Sequence, residues 1–543
     1  MTLERTSFLK SPVVIAWLGI GLTGLLLFFS FGPVGHPFVA LFALIPATLA
    51  TTQNIPWKIW RRAAWGVSWI LWIGLLIWLR HVYPPLGYIG LILLTAYCAL
   101  YLFLWLVVLR WIFPATENAA LLTRLIYLIG LAGAWGLLEW VRSLFLTGFG
   151  WLPLSASQEG NPVLLSLCAW VGPYGLSALL VLINLGFASW IFRLKITTQS
   201  NLATVKPLGW LSRLTPELYI CLSPLVFGFI ACGESLVSRA NLIRFKAGIV
   251  QTDFDPNAKW DSVRLQDHIE KIETLTLAAS QPNIKGERPD FILWPEAALP
   301  ISLASEPYVN LLTRLAVRAE TPIVLGAIDK EKTGYTNSVA VITSEGLQRP
   351  IYSKRHLVPF GEYVPFADFL PLRKVVPINE DCVAGRGPNL FPITNRQGQT
   401  AIAGALICYE DVFPELAREH ALAGANLLVV VTNDAWYGRE AGAYQHNAHS
   451  ILLAASTGLP VIRCGNAGWS GVINRFGQAK AMTQNDSVYF AGQSVVGPIL
   501  IQKHPADTFW VRNGDWAVSI GGLFFAFAYM VRRRQNSSLK TTT

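Results

Sequence analysis

Three residues able to take part in nucleophilic chemistry follow short apolar runs in the second half of the chain. Glu296 follows FILWP, Lys354 follows PIYS, and Cys408 closes IAGALI. Such runs are typical of buried strands, and ligands gather at the carboxyl ends of strands in layered α/β sheets. Taken singly, the two charged residues are ordinary solvated groups and the cysteine is a small packing residue. Together, on consecutive segments of one sheet, they also fit a catalytic site, so the spacing alone leaves both interpretations open.

The chemistry that these residue types support is attack by a thiolate on a carbonyl carbon. A thiol with a pKa of about 8.5 is only slightly ionised at neutral pH, so it needs a base within hydrogen-bonding reach, which Glu296 supplies. The ammonium of Lys354 and the backbone N–H of Tyr409 stabilise the oxyanion. This chemistry needs no metal or cofactor, and the sequence has no HExxH or CxxC motif. We expect three histidines to be structural, namely His356, His446 and His449.

The composition is that of a membrane protein. Of 543 residues, 53% are hydrophobic, 14% are charged and 21 are tryptophan, whereas soluble domains carry about 25% charged residues and tryptophan favours membrane interfaces. The net charge of +10 is compatible with nucleic-acid binding, but much of it lies in short loops beside apolar runs. That placement fits anionic lipid head groups and argues against a nucleic-acid partner.

The distribution of acidic residues divides the chain. No Asp precedes Asp253, whereas the composition from there to about Asp515 is that of an ordinary globular domain. We therefore predict a membrane domain over 1–240, a globular domain over 241–512, and a last helix with a basic tail over 513–543. A spanning helix needs about 20 apolar residues. Seven candidate spans precede the first boundary and an eighth follows the second, at roughly 12–31, 36–52, 63–79, 86–109, 120–141, 163–192, 215–234 and 514–531.

The basic residues that flank these runs predict an orientation, because cytoplasmic loops carry an excess of Lys and Arg. The opposite short loops hold little beyond Arg80 and Arg142. Both termini are therefore predicted to face the cytoplasm of a bacterial cell, with the globular domain on the periplasmic side of the inner membrane. The flanks on the basic side contain Arg5, Lys10, Lys58, Arg61, Arg62, Arg110, Arg124, Arg193, Lys195, Lys206, Arg213, Arg532, Arg533 and Arg534.

The region from 245 onward alternates between strand-like and helix-like segments. FKAGIVQT, DFILW, PIVLGAI and NLLVVVTND are typical of buried strands, and HIEKIETLTLAAS and YVNLLTRLAVRAE have helical spacing. This alternation predicts an α/β layered domain. Cys382, Cys408 and Cys464 lie in this region, where an oxidising compartment tends to pair thiols and at least one is left over. Whether Cys382 and Cys464 pair stays open at this point.

Several segments of the chain resemble a known family. WPE (294–296), YSKRHLVPFGEYVPF (352–366), ICYED (407–411) and TNDAW (432–436) are similar to segments of the nitrilase superfamily. The long continuation after the lysine is typical of its membrane branch, the apolipoprotein N-acyltransferases. EWVRSLFLTGFGW (139–151) and GYTNSVAVI (334–342) match this branch as well. The resemblance covers essentially the whole chain, including the order of spans, globular domain and last span.

The resemblance implies a fold and a reaction. The fold is an αββα sandwich attached to a multi-span α-helical membrane domain, with Glu296 as general base, Lys354 as oxyanion stabiliser and Cys408 as nucleophile. The implied reaction takes a fatty acyl chain from a phospholipid of the bilayer, forms a Cys408 thioester and releases the lysophospholipid. The N-terminal amine of the diacylglyceryl-cysteine of an apolipoprotein then accepts the acyl chain as an amide.

The resemblance also implies supporting roles for four further residues. Glu362, eight residues after Lys354, is implied to orient the lysine or the substrate. Tyr409 and Glu410 are implied to belong to the active site because they lie beside the nucleophile, although ordinary packing and capping roles are the alternative. Trp260, in FDPNAKWD, is implied to help form a substrate gate, with simple coverage of the core as the alternative.

A short apolar loop follows a charged pair at the end of one predicted span. Glu139 and Arg142 are three residues apart, and buried charges in a membrane are costly unless they are paired. We expect a structural ion pair between them. The loop 143–158 that follows contains Phe145, Phe149 and Trp151, and we expect it to guide an acyl chain sideways from the bilayer toward Cys408.

Some positions depart from the family pattern, and two other functions fit the same features. The departures flank the site, so we expect them to affect donor or acceptor preference. A membrane-tethered amidase, or an acyltransferase to another amine, would share the triad and differ in its acceptor. A non-catalytic lipid-binding or transport protein would more often show paired broken spans or buried charges at mid-membrane. The departures are Gly150, Ser456, Leu459, Trp469 and Asn474.

Overall fold

The computed structural model of the chain describes residues 11–200, 215–237, 242–504 apart from 285, 332, 333, 368, 370, 375 and 377–379, and 507–541. The chain divides into two compact units, Met1–Ser235 with Asp515–Thr543, and Leu236–Gly514. We refer to them as the helical unit and the α/β unit. Four basic residues used above for the orientation lie outside the described residues, namely Arg5, Lys10, Lys206 and Arg213.

The helical unit is built from α-helices that are apolar along most of their length. In chain order they are α1 (Pro12–Phe28), α2 (Ile45–Ala50), α3 (Trp57–Leu75), α4 (Leu86–Ile112), α5 (Leu121–Leu144), α6 (Pro162–Leu165), α7 (Cys168–Ser200), α8 (Pro216–Val237) and a final helix, Trp516–Thr541. The larger number of spans deduced from the sequence stays a prediction. In the part of the chain that the structure describes, four helical segments are long and apolar enough to cross a membrane, Leu86–Thr116, Leu121–Thr147, Cys168–Leu194 and Pro216–Gly233.

The segment 36–52, expected to form one continuous span, is divided in the structure. A 3₁₀ helix spans Pro37–Leu41, and α2 begins only at Ile45. Pro46 lies in the first turn of α2, where its missing N–H is tolerated, whereas a proline inside a helix removes a hydrogen bond and clashes with the preceding turn. The candidate span 36–52 is thus interrupted at residues 42–44, and its crossing of a membrane stays a prediction.

The final helix packs against α5 through two glycines. A Cβ on Gly133 would lie 2.2 Å from the carbonyl oxygen of Gly521, so no larger residue fits at this crossing without moving the backbone. Close approach through small residues is a common way for membrane helices to associate, since lipid supplies no hydrophobic driving force between them. Through this contact the final helix, which follows the α/β unit in the sequence, packs against the rest of the helical unit.

Glu139 and Arg142 of α5 bind different partners. Glu139 Oε1 accepts hydrogen bonds from the Trp135 indole N–H at 2.7 Å and from the Leu154 N–H at 2.8 Å. The guanidinium carbon of Arg142 lies 4.7 Å from the centroid of the Trp72 ring. The short contacts of each side chain are therefore with other groups, and an ion pair between the two residues stays a prediction.

The α/β unit contains two mixed β-sheets. Among the described residues, one sheet has the strand order β12-β1-β2-β3-β4-β5 and the other β11-β10-β9-β8-β7-β6. The strands are β1 (Leu242–Gln251), β2 (Phe291–Leu293), β3 (Ile323–Glu331), β4 (Gly334–Thr343), β5 (Gly346–Ser353), β6 (Phe391–Thr394), β7 (Thr400–Ile407), β8 (Leu427–Thr432), β9 (Val461–Gly465), β10 (Gly471–Ile473), β11 (Ala479–Ala481) and β12 (Gly492–Gln502). β1, β2 and β3 are parallel, as are β7, β8 and β9. The helices are α9 (Leu265–Ser280), α10 (Glu306–Ala319), α11 (Pro414–Leu422), α12 (Gly442–Thr457) and α13 (Phe509–Asn513).

The two sheets enclose one apolar core, and helices cover their outer faces. Buried side chains of β1 and β2 pack with those of β7, β8 and β9 between the sheets. Ile272 of α9 and Leu312 of α10 pack with Ile292 and Leu325 on the outer face of the first sheet, while α11 and α12 contact β7 and β9 of the second. Strands buried on both faces explain the continuous apolar runs in the sequence. The predicted αββα sandwich is confirmed.

Candidate active site

The three residues predicted as a triad come together in one buried site. Glu296 follows β2 by three residues, Lys354 follows β5 directly, and Cys408 follows β7 directly. The Nζ of Lys354 lies 3.7 Å from Oε1 of Glu296, and the charges of both residues act on the Cys408 thiol. Glu296 and Cys408 are each 8% exposed and Lys354 is 1% exposed. A thiol, a carboxylate and an ammonium therefore share one water-poor pocket, where electrostatic interactions are stronger than in solvent.

The turns that carry Glu296 and Cys408 are tightly bent. Cys408 has a φ of +52° and Ala297, next to Glu296, has a φ of +40°, in a region that costs a non-glycine residue of order 1–3 kcal/mol. Gly326 of β3 lies against the Glu296 turn, since a Cβ there would be 2.4 Å from the carbonyl oxygen of Pro295. Strain of this kind persists only where surrounding contacts hold the backbone, and it fixes the two reacting side chains in place.

Lys354 is held between two carboxylates. Its Nζ lies 2.9 Å from Glu362 Oε2 as well as 3.7 Å from Glu296 Oε1, and Glu362 Oε2 also accepts the backbone N–H of Val358 at 2.8 Å. Burial disfavours the charged form of Lys354, but the negative charges of Glu362 and Glu296 outweigh it and raise the pKa of the lysine above its ordinary value. Lys354 is therefore a fixed ammonium at physiological pH, suited to stabilising an oxyanion.

The surroundings of Cys408 disfavour ionisation of its thiol. Burial raises the pKa of the Cys408 thiol well above its ordinary value, the charge of Glu296 raises it further, and the charge of Lys354 lowers it. The proton must therefore leave as the sulfur attacks, because only the thiolate is strongly nucleophilic. Glu296 is the carboxylate placed to accept that proton while Lys354 keeps positive charge beside the sulfur.

Asn337 of β4 is a site residue that the sequence analysis missed. Its Nδ2 donates hydrogen bonds to Glu296 Oε1 at 2.7 Å and to Glu362 Oε1 at 3.0 Å, and its carbonyl oxygen accepts the backbone N–H of Lys354 at 2.7 Å. One residue thereby fixes the spacing of two carboxylates and of the lysine between them. The sequence marks Asn337 only weakly, because its neighbours Thr336 and Ser338 are polar as well.

Replacing Asn337 by Ala is expected to lower the kcat of the reaction at this site about tenfold to hundredfold with little change in KM, because Glu296 loses the donor that orients it. Asn337→Asp is expected to be worse, since it adds a third carboxylate beside Glu296 and Glu362. Steady-state rates of the purified variants measure the effect, with thermal unfolding as a check on folding. Parent-like activity of Asn337→Ala would contradict the positioning role.

Glu410 links the lysine segment to the cysteine turn from a fully buried position. Its carboxylate accepts the backbone N–H of Ile407 at 2.8 Å and that of Arg355 at 2.7 Å. Burial raises the pKa of Glu410, and the backbone N–H donors oppose that shift. Because Ile407 precedes Cys408 and Arg355 follows Lys354, this carboxylate sets the position of the nucleophile relative to the ammonium.

Family models match the chain in both units. The model described as carbon-nitrogen hydrolase matches residues 246–499, and the model described as apolipoprotein N-acyltransferase N-terminal domain matches residues 23–186. A relative from Geobacter metallireducens, named apolipoprotein N-acyltransferase, is 30% identical over 528 residues, which cover 94% of this chain and 95% of that relative. The chain belongs to the apolipoprotein N-acyltransferase family.

A second relative of the same name, from Brucella suis, is 31% identical over 423 residues, which cover 74% of this chain and 73% of that relative. Among solved structures, a CN-hydrolase superfamily protein from Xanthomonas campestris covers 47% of this chain and 91% of its own, at 17% identity and a TM-score of 0.34. Membership of the apolipoprotein N-acyltransferase family and the four long apolar helices make this chain a membrane protein.

Three other residues singled out from the family resemblance lie in different surroundings. Tyr409 is buried directly after Cys408, with its ring centroid 5.0 Å from that of Phe413. Trp260 is 56% exposed, so its ring is available for contact with another molecule. Trp151 lies in the helical unit, where it is buried and is therefore not part of an exposed apolar loop surface. The roles implied for these three residues stay predictions.

Most departures from the apolipoprotein N-acyltransferase pattern lie in the interior of their own unit. Ser456, Leu459 and Trp469 are at most 4% exposed and Gly150 is buried, whereas Asn474 lies on a surface turn, where its Oδ1 accepts two backbone N–H groups. Interior side chains shape the packing around a site and do not face solvent. Their expected effect on donor or acceptor preference stays a prediction.

The histidines and the remaining cysteines of the α/β unit complete the list of expected residues. His356 stacks on Phe413, with 3.8 Å between ring centroids, and His446 lies within a buried charged cluster described below. Cys382 and Cys464 are both free, which answers the question of their pairing. Among the described residues, no group of three or more side chains has the arrangement of a metal site.

Lys259 is a second buried lysine at this site, and the sequence analysis did not single it out. It is 2% exposed, and its Nζ donates a hydrogen bond to the backbone carbonyl of Glu296 at 3.1 Å. Burial lowers the pKa of Lys259 from 10.5 to about 8, although the charge of Glu296 opposes that shift. Lys259 thereby ties the loop that carries the exposed Trp260 to the backbone of the general base.

The lowered pKa of Lys259 predicts a pH dependence of stability. Between pH 8 and 10.5 the folded chain has lost this proton and the unfolded chain retains it, so the free energy of unfolding rises with pH across that window. The shift corresponds to about 3 kcal/mol. Lys259→Met carries no titrating group, so the gain is expected in the parent protein and not in the variant. Thermal unfolding of both proteins at about pH 7 and pH 10 measures this, and parallel behaviour of the two would contradict it.

Proposed function

We propose that the chain transfers a fatty acyl group from a membrane phospholipid to the N-terminal amine of the diacylglyceryl-cysteine of apolipoproteins. The observation that carries this proposal is the buried Lys354–Glu296 pair acting on the Cys408 thiol. It lies in a chain that matches a named apolipoprotein N-acyltransferase over 94% of its length. The reaction is ping-pong, with a Cys408 thioester between the two halves, and the residues supply its acid, base and nucleophile without a cofactor.

The first half-reaction makes the thioester. Glu296 accepts the proton of the Cys408 thiol while the sulfur attacks the ester carbonyl carbon of the phospholipid. The oxygen of the tetrahedral intermediate gains a negative charge, which Lys354 and the backbone N–H of Tyr409 stabilise. The intermediate collapses with cleavage of the ester C–O bond, and Glu296 returns its proton to the departing lysophospholipid oxygen.

The second half-reaction transfers the acyl group. The neutral amine of the diacylglyceryl-cysteine attacks the thioester carbonyl carbon and gives up one proton to Glu296. The C–S bond breaks, an amide remains on the acceptor, and the Cys408 sulfur regains the proton. A thioester is activated toward amines, so this half needs no further energy source.

The supporting residues receive roles that match their surroundings. Glu362 orients Lys354, to which it is bonded, and Glu410 positions the Cys408 turn. Trp260 contacts substrate from its exposed position, and Trp151 shapes the loop 143–158 of the helical unit, along which the acyl chain is guided.

We further propose that the chain lies in the bacterial inner membrane, with residues 241–512 on the periplasmic side and both termini in the cytoplasm. The basic residues that flank the apolar runs support this orientation. The proposed division into a membrane domain 1–240, a catalytic domain 241–512 and a final helix with a basic tail 513–543 rests on the distribution of acidic residues along the chain. On the periplasmic side, outer-leaflet phospholipid and exported apolipoproteins are both within reach of the catalytic domain.

Intact-mass measurement of the purified full chain tests both half-reactions. After incubation with phosphatidylethanolamine vesicles, we expect a mass gain of one fatty acyl group that hydroxylamine removes. Adding a peptide with an N-terminal diacylglyceryl-cysteine should then discharge the adduct and give the N-acylated peptide together with lysophospholipid. Absence of any adduct with common phospholipids would overturn the acyltransferase assignment. An adduct that water or another amine discharges, but the lipopeptide does not, would instead favour an amidase or a different acceptor.

A further inference from the structure

A cluster of buried polar side chains lies behind Cys408, separate from Glu296 and Lys354. We call it the inner charged cluster, and it consists of Asp411, Asp434, His446 and Arg463. The four residues come from the turn after β7, the turn after β8, α12 and β9, and each is 0% exposed. Buried charges are retained only when they are paired, so the contacts within this cluster show what it does for the nucleophile.

Thr432, the last residue of β8, connects this cluster to the nucleophile. β7 and β8 are parallel, with Ile407 opposite Val431, so Cys408 and Thr432 are the next neighbours along the two strands. The Thr432 hydroxyl donates a hydrogen bond to Asp434 Oδ1 at 2.9 Å, and its nearness to Cys408 lowers the pKa of that thiol. Thr432 therefore stands between the reacting sulfur and a buried carboxylate.

The charges of the inner charged cluster balance without Thr432. Asp434 Oδ1 accepts from His446 Nδ1 at 2.7 Å and Asp434 Oδ2 from Arg463 Nη2 at 3.2 Å. Asp411 in turn binds His446 Nε2 at 2.7 Å and Arg463 Nη1. His446 Nε2 is also hydrogen-bonded to the Cys408 carbonyl oxygen at 3.3 Å. Both ring nitrogens of His446 therefore face acceptors, which requires both to carry protons. Burial opposes this charge, but Asp411 and Asp434 raise the pKa of His446 to about 9.

This balance leaves the Thr432 hydroxyl free to change partners. Asp434 keeps two charged donors if Thr432 turns away, so the cost of losing the neutral hydroxyl is small. A thiolate at Cys408, by contrast, is a buried anion that needs donors. Without His446 and Arg463, Asp434 would hold the Thr432 proton firmly and repel the negative sulfur.

We propose that Thr432 is a further catalytic residue, whose hydroxyl turns from Asp434 to the Cys408 sulfur and stabilises the thiolate in both half-reactions. No proton is transferred from Thr432, because Glu296 takes the thiol proton and the hydroxyl only redirects its hydrogen bond. Asp434, His446 and Arg463 act through Thr432 and are positioning residues. The inference rests on the proposed role of Cys408 as nucleophile.

Alkylation of Cys408 by iodoacetamide tests this step without phospholipid or acceptor. The full-length protein in detergent is labelled at about pH 8, and the rate at the Cys408 peptide is followed by mass spectrometry. A hydrogen bond to a charged group is worth about 1.5–3 kcal/mol, so Thr432→Val is expected to slow labelling by roughly tenfold to hundredfold. Thr432→Ser keeps a hydroxyl and is expected to react within about threefold of the parent. The kcat for acyl transfer should fall with the alkylation rate, with KM unchanged.

Cys464 is an internal control in the same molecules. It is free and 0% exposed in the core of the sandwich, so fast labelling at Cys464 reports unfolding. If fast labelling of Cys464 shows that Thr432→Val is unfolded, Thr432→Ala is tested in its place. The same loss of labelling rate at Cys408 is expected. Parent-like labelling of the folded Val or Ala variant would overturn the inference, as would equal losses in the Val and Ser variants.

The outcome is distinguishable from failure of the proposed function. Slow labelling of Thr432→Val in a protein that forms no acyl adduct would reject the acyltransferase assignment and retain the thiolate-stabilising role of Thr432. If the parent protein forms the acyl adduct but Thr432→Val is labelled at the parent rate, the acyltransferase assignment is retained and the thiolate-stabilising role of Thr432 is rejected.

Discussion

Replacing Cys408 by Ala is expected to abolish the acyl adduct and to lower transfer to a diacylglyceryl-cysteine peptide by more than about 10⁴-fold. The reason is that the Cys408 sulfur bonds to the acyl carbon in the proposed mechanism, and residual rates after loss of a nucleophile come from binding and oxyanion stabilisation alone. Cys408→Ser is expected to be nearly as inactive, because a hydroxyl with a higher pKa ionises far less beside Glu296. Intact mass after incubation with phospholipid vesicles, together with the rate of peptide acylation, measures both effects.

Cys464→Ala is the matched control for this experiment. It makes the same substitution at a buried thiol of the same α/β unit, one whose sulfur donates to the backbone carbonyl of Val250, and is expected to keep the adduct and the transfer rate. An acyl adduct on Cys408→Ala that hydroxylamine removes would place the thioester on another cysteine and contradict the assignment of the nucleophile.

Spacing alone left the meaning of Glu296, Lys354 and Cys408 open, and the family resemblance supplied their roles. Glu296 and Cys408 do follow strands that are largely buried, whereas β5 before Lys354 has exposed residues. Strands that are buried on both faces leave a continuous apolar signal, and the residue after such a strand is marked by the end of that signal. No such signal singles out Asn337, because it lies inside β4. It reaches the site because β4 pairs with β5, which ends next to Lys354. Its contact with both carboxylates depends on strand register, which a single sequence does not specify.

The inner charged cluster could not be predicted from the sequence, for a similar reason. His446 was expected to be structural, and its ring does lie in the interior, but its partners Asp411 and Asp434 come from other elements. Only the packing of α12 against the turns after β7 and β8 brings the three together. Sequence spacing reveals pairs three or four residues apart on one helix, and this cluster contains none.

In the helical unit, the sequence patterns predicted where helices form but not where a helix is interrupted. Long apolar runs such as 86–109 and 120–141 form helices of closely similar extent, α4 and α5. The run 36–52 is also apolar, but residues 42–44 separate its 3₁₀ helix from α2, and hydropathy does not register such a break. The spacing of Glu139 and Arg142 likewise suggested a pair, whereas aromatic rings and backbone groups of other segments bind each of them.

Replacing Lys354 by Met is expected to lower kcat by about 10²–10³-fold in both half-reactions, because it removes the ammonium that stabilises the oxyanion. The same change leaves the carboxylates of Glu296 and Glu362 buried without their cation. Breaking a buried ion pair in this way costs about 3–5 kcal/mol, so a loss of activity alone would not separate catalysis from folding.

The double variant Lys354→Met with Glu362→Gln makes that separation. It removes one negative charge together with the positive one, so the apparent unfolding temperature is expected to return most of the way to that of the parent, while kcat stays at the level of Lys354→Met. Thermal unfolding and the rate of acyl-adduct formation, measured on the parent, the single variants and the double variant, provide the comparison. Recovery of the rate along with stability would show that Lys354 acts only by holding the fold. A rate that stays low in a stable protein would assign the ammonium to the reacting oxygen, where its fixed charge between Glu296 and Glu362 places it.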